Sequence, residues 1–361
     1  MFVEPPEFSA ARENEYDQEV AGRDPLSADA VLIHLPEVNE RGDLAWLMEQ
    51  ARTLAAASVD VSTPVNACAG LRDLGFLVSS AVRHAPELDI SLLEPALLRL
   101  GALAGEVPRD TVYSYSTRNP RGVRRRSFTG TPEEELFINS VAQAGTRLND
   151  AVQQLADVLH ADWTAPANTD GAGGPMTAAL STARSSVKVL QDNLLRVKRH
   201  VTPHFFSSQL RPYFPTFTVG GQAYAAPGGA QMPLLAVDVI LFAHTASDSG
   251  AGAWHQTYLE ENLRYLPPAH RAVCDTARAR AASGADNRTL AGLAVETGNQ
   301  GDFAGLLQDV LRFRYPHRQL ARNNMLVRPD GSLGSGGYTD DVLDRIIELN
   351  RDVLHPMEGG R

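Results

Sequence analysis

Only two cysteines, Cys68 and Cys274, occur in 361 residues, which excludes a multi-bridge disulfide scaffold and a cysteine-rich zinc site. Positive charge is also short. With 33 Lys and Arg against 43 Asp and Glu, the formal charge is -10, the wrong sign for a broad nucleic-acid footprint built on cationic side chains. The longest apolar run, Leu234 to Ala243, is interrupted by Asp238 and falls well short of the ~20 residues that span a bilayer. The first eight residues hold two glutamates and two prolines where a secretory signal would have a basic start and then an apolar stretch. Together these absences lead to the expectation of a cytoplasmic protein with no nucleic-acid or membrane partner. Strand-type alternation is almost missing and no repeat at fixed period is present, so sheet-based and solenoid folds drop out.

What is there reads as a helical body. Hydrophobic residues at 43% and charged residues at 21% are globular usage, so a core is expected. Residues 1–26 form an acidic arm with weak periodicity, which either straps onto the body or stays free. Residues 27–164 form a first helical half, with stripes such as Leu71, Leu74, Phe76, Leu77 and Val78. Thr131, Pro132 and Glu134 have the spacing of a capping box, and the helix that follows is expected to reach His160 and to bury Phe137, Val141 and Leu148. Residues 165–175, rich in Ala, Asn, Gly and Pro, read as a linker. The second half, 176–361, carries helical patterns at 176–201, 234–245, 254–264, 268–282, 302–324 and 339–354, with an irregular Pro/Gly-rich stretch at 212–233. The expected fold class is all-α.

Chemistry concentrates in the second half. In Leu311-Arg-Phe-Arg314-Tyr-Pro316-His317 the histidine falls on the same stripe as Leu306, Val310 and Phe313, facing inward. A hydrogen-bonded core histidine is the plain reading of that position. Pro316 removes a backbone donor just before it, so a kink is expected where the imidazole is presented. Arg314, one turn earlier, is placed to grip an acid group of whatever His317 binds, and Asp238 is a candidate partner for that arginine. Gly334-Ser335-Gly336-Gly337-Tyr338 is a glycine-rich loop that allows close backbone approach to a ligand. The run Arg124 to Arg126 reads as a solvated loop, with an acid group of a ligand or an acidic partner as the alternative it could face, and His270 reads as a hydrogen-bonded buttress.

Taken in order, several segments resemble the indoleamine/tryptophan dioxygenase superfamily of histidine-ligated haem enzymes. They are Phe206-Ser-Ser-Gln-Leu-Arg211-Pro-Tyr213, Val219-Gly-Gly-Gln222-Ala-Tyr224, Asp238-Val-Ile-Leu241, Tyr265-Leu-Pro-Pro-Ala-His270-Arg271, the His317 motif and Gly334-Ser-Gly-Gly-Tyr338. Within the superfamily the likeness is to the monodechloroaminopyrrolnitrin synthases, and it takes in Leu71-Arg-Asp-Leu-Gly-Phe76 and Arg126-Ser-Phe-Thr-Gly130.

The resemblance implies that His317 is the axial ligand of a b-type haem (haem b), that Arg314 pairs a propionate and that Asp238 orients Arg314. It further implies a distal serine at Ser140, an aromatic wall at Phe206, a carboxylate clamp at Arg211, and a lid at 334–338 in which Ser335 and Gly336 meet the substrate. Met325 stands where that branch carries a tyrosine, so the polar contact a tyrosine could give an amino group is missing. The implied activity is oxidation of a tryptophan-like aromatic amino acid in secondary metabolism, with O2 as co-substrate and an electron donor as a partner to consider. A peroxide-dependent aromatic hydroxylase and a haem sensor or carrier without turnover are the alternatives.

Overall fold

The computed structural model describes residues 8–161, 174–243, 250–283, 289–327, 338–339 and 341–358. Within the stretch read as an arm, α1 (Ala10–Gly22) lies against the body, with Asp17 buried and paired to Arg118 at 2.7 Å. The short helices α2 (Asp29–Leu32) and α3 (Leu35–Arg41) lead into α4 (Leu44–Ala57), α5 (Pro64–His84), α6 (Glu94–Ala104) and α7 (Val112–Tyr115). Two long helices follow, α8 (Pro132–His160) and α9 (Pro175–His200). The rest is α10 (Leu234–Phe242), α11 (Gly250–Asn262), α12 (Pro268–Ala282), α13 (Leu290–Glu296), α14 (Gln300–Leu326) and α15 (Asp341–Glu358). The fold is all-α, as expected, apart from one small hairpin. Most of the expected linker at 165–175 lies outside the described residues.

That hairpin falls in the stretch read as irregular. Strands β1 (Phe217–Val219) and β2 (Gln222–Tyr224) pair antiparallel with Val219 opposite Gln222. Gly220 and Gly221 supply the two successive positive φ angles, 58° and 77°, that a two-residue turn matching strand twist requires. Arg109 holds the hairpin, donating to the carbonyls of Pro215 and Tyr224 at 3.0 Å while its guanidinium sits 4.2 Å over the Phe217 ring.

The start of α8 departs instructively from its expected cap. The Thr131 hydroxyl accepts from the Glu134 amide at 3.3 Å, as a cap should. The Glu134 carboxylate does not turn back to close the box. It is buried and accepts from the Phe128 amide at 2.9 Å, the Thr129 amide at 2.7 Å and the Tyr115 hydroxyl at 3.1 Å. Those donors outnumber the single capping donor, so the carboxylate is spent on shaping the 127–129 loop.

The arginines before it are not a solvated loop either. Arg126 is buried and reaches Asp73 at 2.9 Å and Asp29 at 2.7 Å, while Arg124 meets Asp29 at 2.6 Å. Asp73 lies at the centre of α5 with Arg72 at 2.8 Å. Burial opposes its charge, but Arg72 and Arg126 outweigh that and hold its carboxyl below the ordinary range. The cluster therefore ties the loop to α5.

Two apolar cores organise the chain. One gathers α3 to α6 with Phe205, Tyr213 and Phe214; the other gathers α10 to α15 with the C-terminal part of α8 and the N-terminal part of α9. The antiparallel α8 and α9 link them, since Thr202, just past α9, donates to Glu133 at the start of α8 at 2.8 Å. Between the cores a small cluster of Ala144, Leu148, Leu190, Leu194 and Phe313 borders a cavity.

Candidate active site

The cavity has a volume of about 300 Å³, within the range of small-molecule pockets, and both cores contribute to its wall. Ser140 enters from α8, Phe206 and Arg211 from a π-helical turn at Phe205–Leu210 and its cap, Asp238 from α10, and Arg314 and His317 from α14. The six come from four separate stretches of the sequence, with Phe206 and Arg211 sharing one and Arg314 and His317 another. Ser335 and Gly336 lie outside the described residues, so the loop at 334–337 is not placed. Its neighbour Tyr338 is placed: its hydroxyl donates to Glu261 and accepts from Asn262, each at 2.6 Å, and the residue lines the cavity.

His317 sits inside α14, which runs through Pro316 to Leu326. Its ring stacks on Phe313, with centroids 5.2 Å apart and planes at 14°. The half-buried imidazole has its accessible part on the cavity wall. Burial, and then the neighbouring Arg314 charge, push its pKa down to about 4. It is therefore neutral at pH 7, the form in which a ring nitrogen can ligate a metal.

Arg314 is buried and its Nη2 donates to Asp238. Nε has no hydrogen-bond partner among the described residues, which leaves a donor for an anionic group. Asp238 is the charge inside an otherwise apolar helix, with all of Leu235–Phe242 buried. Burial raises its pKa, against the lowering influence of Arg314. A carboxylate here serves to hold the guanidinium, because one left unpaired would carry a large desolvation cost.

Ser140 Oγ is buried and makes no hydrogen bond among the described residues, so a hydroxyl is available to whatever fills the cavity. Phe137, expected in the core, lines the cavity with Val141, and the Phe137 and Phe206 rings lie 5.4 Å apart. Arg211 Nη1 donates to the Phe214 carbonyl, which fixes the guanidinium at the wall. A π-turn widens the helix by one residue and is common where a chain shapes a site. Outside the cavity, His270 Nε2 meets Asn149 Oδ1 at 2.8 Å, a buttress as expected.

Sequence reasoning passed over Tyr258 and Asn324, both on the cavity wall. Tyr258 stacks on Trp254, with centroids 5.4 Å apart, and meets the Tyr338 ring at a tilt of 51° and 5.6 Å. Asn324 carried a usable signal, since seven residues separate it from His317 and place both on one helical face.

A haem fits these residues. Among the described residues no group of three or more His, Cys, Asp and Glu is placed to hold a metal ion, so a metal on His317 would need donors beyond these side chains, such as a macrocycle supplies. The apolar wall, the cation at Arg314 and the neutral imidazole match such a group's faces, acid edge and centre. The sequence model of monodechloroaminopyrrolnitrin synthase PrnB matches residues 52–293. The chain belongs to that family. Its members are haem-dependent oxidative enzymes, and this chain is accordingly an oxidoreductase. The matched span includes Ser140, Phe206, Arg211 and Asp238 and ends before Arg314 and His317. Among the described residues no helix is long and apolar enough to cross a membrane.

Proposed function

We propose that the chain is an oxygenase that holds haem b through His317, uses O2 as co-substrate and oxidises a tryptophan-like aromatic amino acid in secondary metabolism. The observation that carries this is the convergence of His317, Arg314 with Asp238, Ser140, Phe206 and Arg211 on one cavity. Bound haem supplies the activation of O2 toward a closed-shell aromatic ring.

The chain's own residues supply position and polarity. His317 offers a neutral nitrogen, and the Phe313 ring stacked on it restricts its rotation. Arg314, held by Asp238 through Nη2, offers its Nε donor to an acid group such as a propionate. Arg211 grips the substrate carboxylate, for which the planar fork of a guanidinium is suited. Phe206 and Phe137 receive the ring. Ser140 Oγ hydrogen-bonds at the reacting atoms, where a hydroxyl can both accept and donate. Ser335 and Gly336 belong to this reading as the substrate-facing part of the lid.

The test is His317→Ala. The variant is expected to purify without haem, or with a haem whose absorption spectrum is restored by added imidazole. Wild-type haem content with an unchanged spectrum would refute the assignment.

A further inference from the structure

Asn324 lines the cavity, and its side-chain Oδ1 is buried with no hydrogen bond among the described residues. Leaving a buried polar atom unsatisfied costs about 1–3 kcal/mol, so an acceptor at this place can be satisfied by a donor that arrives with a ligand. Its neighbours on the wall, Leu320, Ala321 and Met325, have no polar hydrogen on their side chains. The residue is also held in place. Ser207 Oγ donates to the Asn324 backbone carbonyl at 2.6 Å, tying this turn of α14 to the π-turn that carries Phe206 and ends at Arg211. Ser207 and Arg211 lie about one turn apart, so the backbone of Asn324 is tied to the same short segment that carries Arg211. From His317, Asn324 lies two turns on, roughly 10 Å along the helix axis.

We propose that Asn324 recognises the amino group of the substrate, its Oδ1 accepting an N–H while Arg211 engages the carboxylate of the same molecule. An α-amino acid bears both groups on one carbon, so a protein that reads both must set an acceptor close to a cationic fork. A neutral amide meets that need without neutralising the arginine, as a carboxylate there would. This assignment rests on the amino-acid reading above and adds the means by which an amino acid is told from the corresponding simple acid.

The experiment is calorimetric titration of the haem-loaded protein with L-tryptophan and with indole-3-propionate, which lacks only the amino group. It is run on wild type, Asn324→Leu and Asn324→Ala, so that the smaller substitution decides if the larger one disturbs folding. Both variants are expected to bind tryptophan about 10-fold or more weakly, the low end for a hydrogen bond to a charged group, and indole-3-propionate within twofold of wild type. Equal weakening of both compounds, or no weakening of tryptophan, overturns the role of Asn324. A wild type that binds neither compound overturns the amino-acid reading itself, and this proposal with it.

Discussion

Glutamine at position 13 should stabilise the protein at alkaline pH and leave it nearly unchanged in mild acid. Glu13 lies on α1 among buried charges, where Asp17 and Glu106 already share the Arg118 guanidinium at 2.7 Å each. His270 Nδ1 is 3.9 Å from its carboxylate, but burial, followed by the Arg118 charge, pushes that imidazole down to about 3. The contact is therefore no ion pair. Burial first, and then the Asp17 charge, raise the Glu13 pKa from 4.5 to about 7. The folded state thus binds this proton more tightly than the unfolded chain does. The stabilisation from the protonated form is complete below pH 4.5 and is lost as the pH rises through 7. At 1.36 kcal/mol per pH unit that interval corresponds to about 3 kcal/mol. Glu13→Gln, neutral throughout, should match wild type near pH 4.5 and exceed it by about 3 kcal/mol at pH 8. Urea unfolding of both proteins at pH 4.5, 6 and 8 reads this as a difference of differences, in which other titrating groups cancel. A stability difference that is the same at pH 4.5 and pH 8, or that favours wild type as the pH rises, would refute the reasoning.

Arg211→Lys keeps the charge but breaks the bidentate fork, so tryptophan should bind about 1.5–3 kcal/mol more weakly while tryptamine, its decarboxylated amine, binds both proteins alike. Equal loss for both ligands would make Arg211 structural. Gly75→Ala should lower the urea midpoint, because the new Cβ would stand 2.6 Å from Asp110 Cβ and 3.1 Å from the Asp110 backbone nitrogen. The overpacking cost of about 1–3 kcal/mol exceeds the gain of up to about 1 kcal/mol in helix propensity. A midpoint at or above that of wild type would show that the 110 segment can move aside.

Helices were legible in the sequence because their signals are local. The expectation of 268–282 coincides with the observed Pro268–Ala282, since a Pro-Pro start and a 3.6-residue stripe need no distant partner to be recognised. The extension of α14 from the expected 302–324 to Gln300–Leu326 is the ordinary slack of helix ends. The hairpin at 217–224 was missed because its strands are three residues long, too short for an alternating pattern to register.

Charged groups were read unevenly: Asp238 does pair with Arg314 as expected, but elsewhere what a charge does depended on which charges meet it. Arg126 looked solvated among its neighbours in sequence, yet it is enclosed by Asp73 and Asp29, which are remote along the chain. Glu134 had the spacing of a capping box, but the 115–129 loop presented more donors to it than the helix end did.

From the sequence alone came the all-α class, the positions of the long helices, and the residue types able to serve a histidine-ligated haem enzyme, because periodicity and motif chemistry are carried by residues close in the chain. Tertiary structure alone decided that Ser140, Phe206, Arg211, Asp238, Arg314 and His317 face one cavity. It also decided that the His317 imidazole is neutral, through burial and the charge of Arg314, and that an Asn324 Oδ1 with no partner among the described residues shares the wall with them. Convergence and desolvation arise only when separate helices pack, which is why no spacing along the chain could express them.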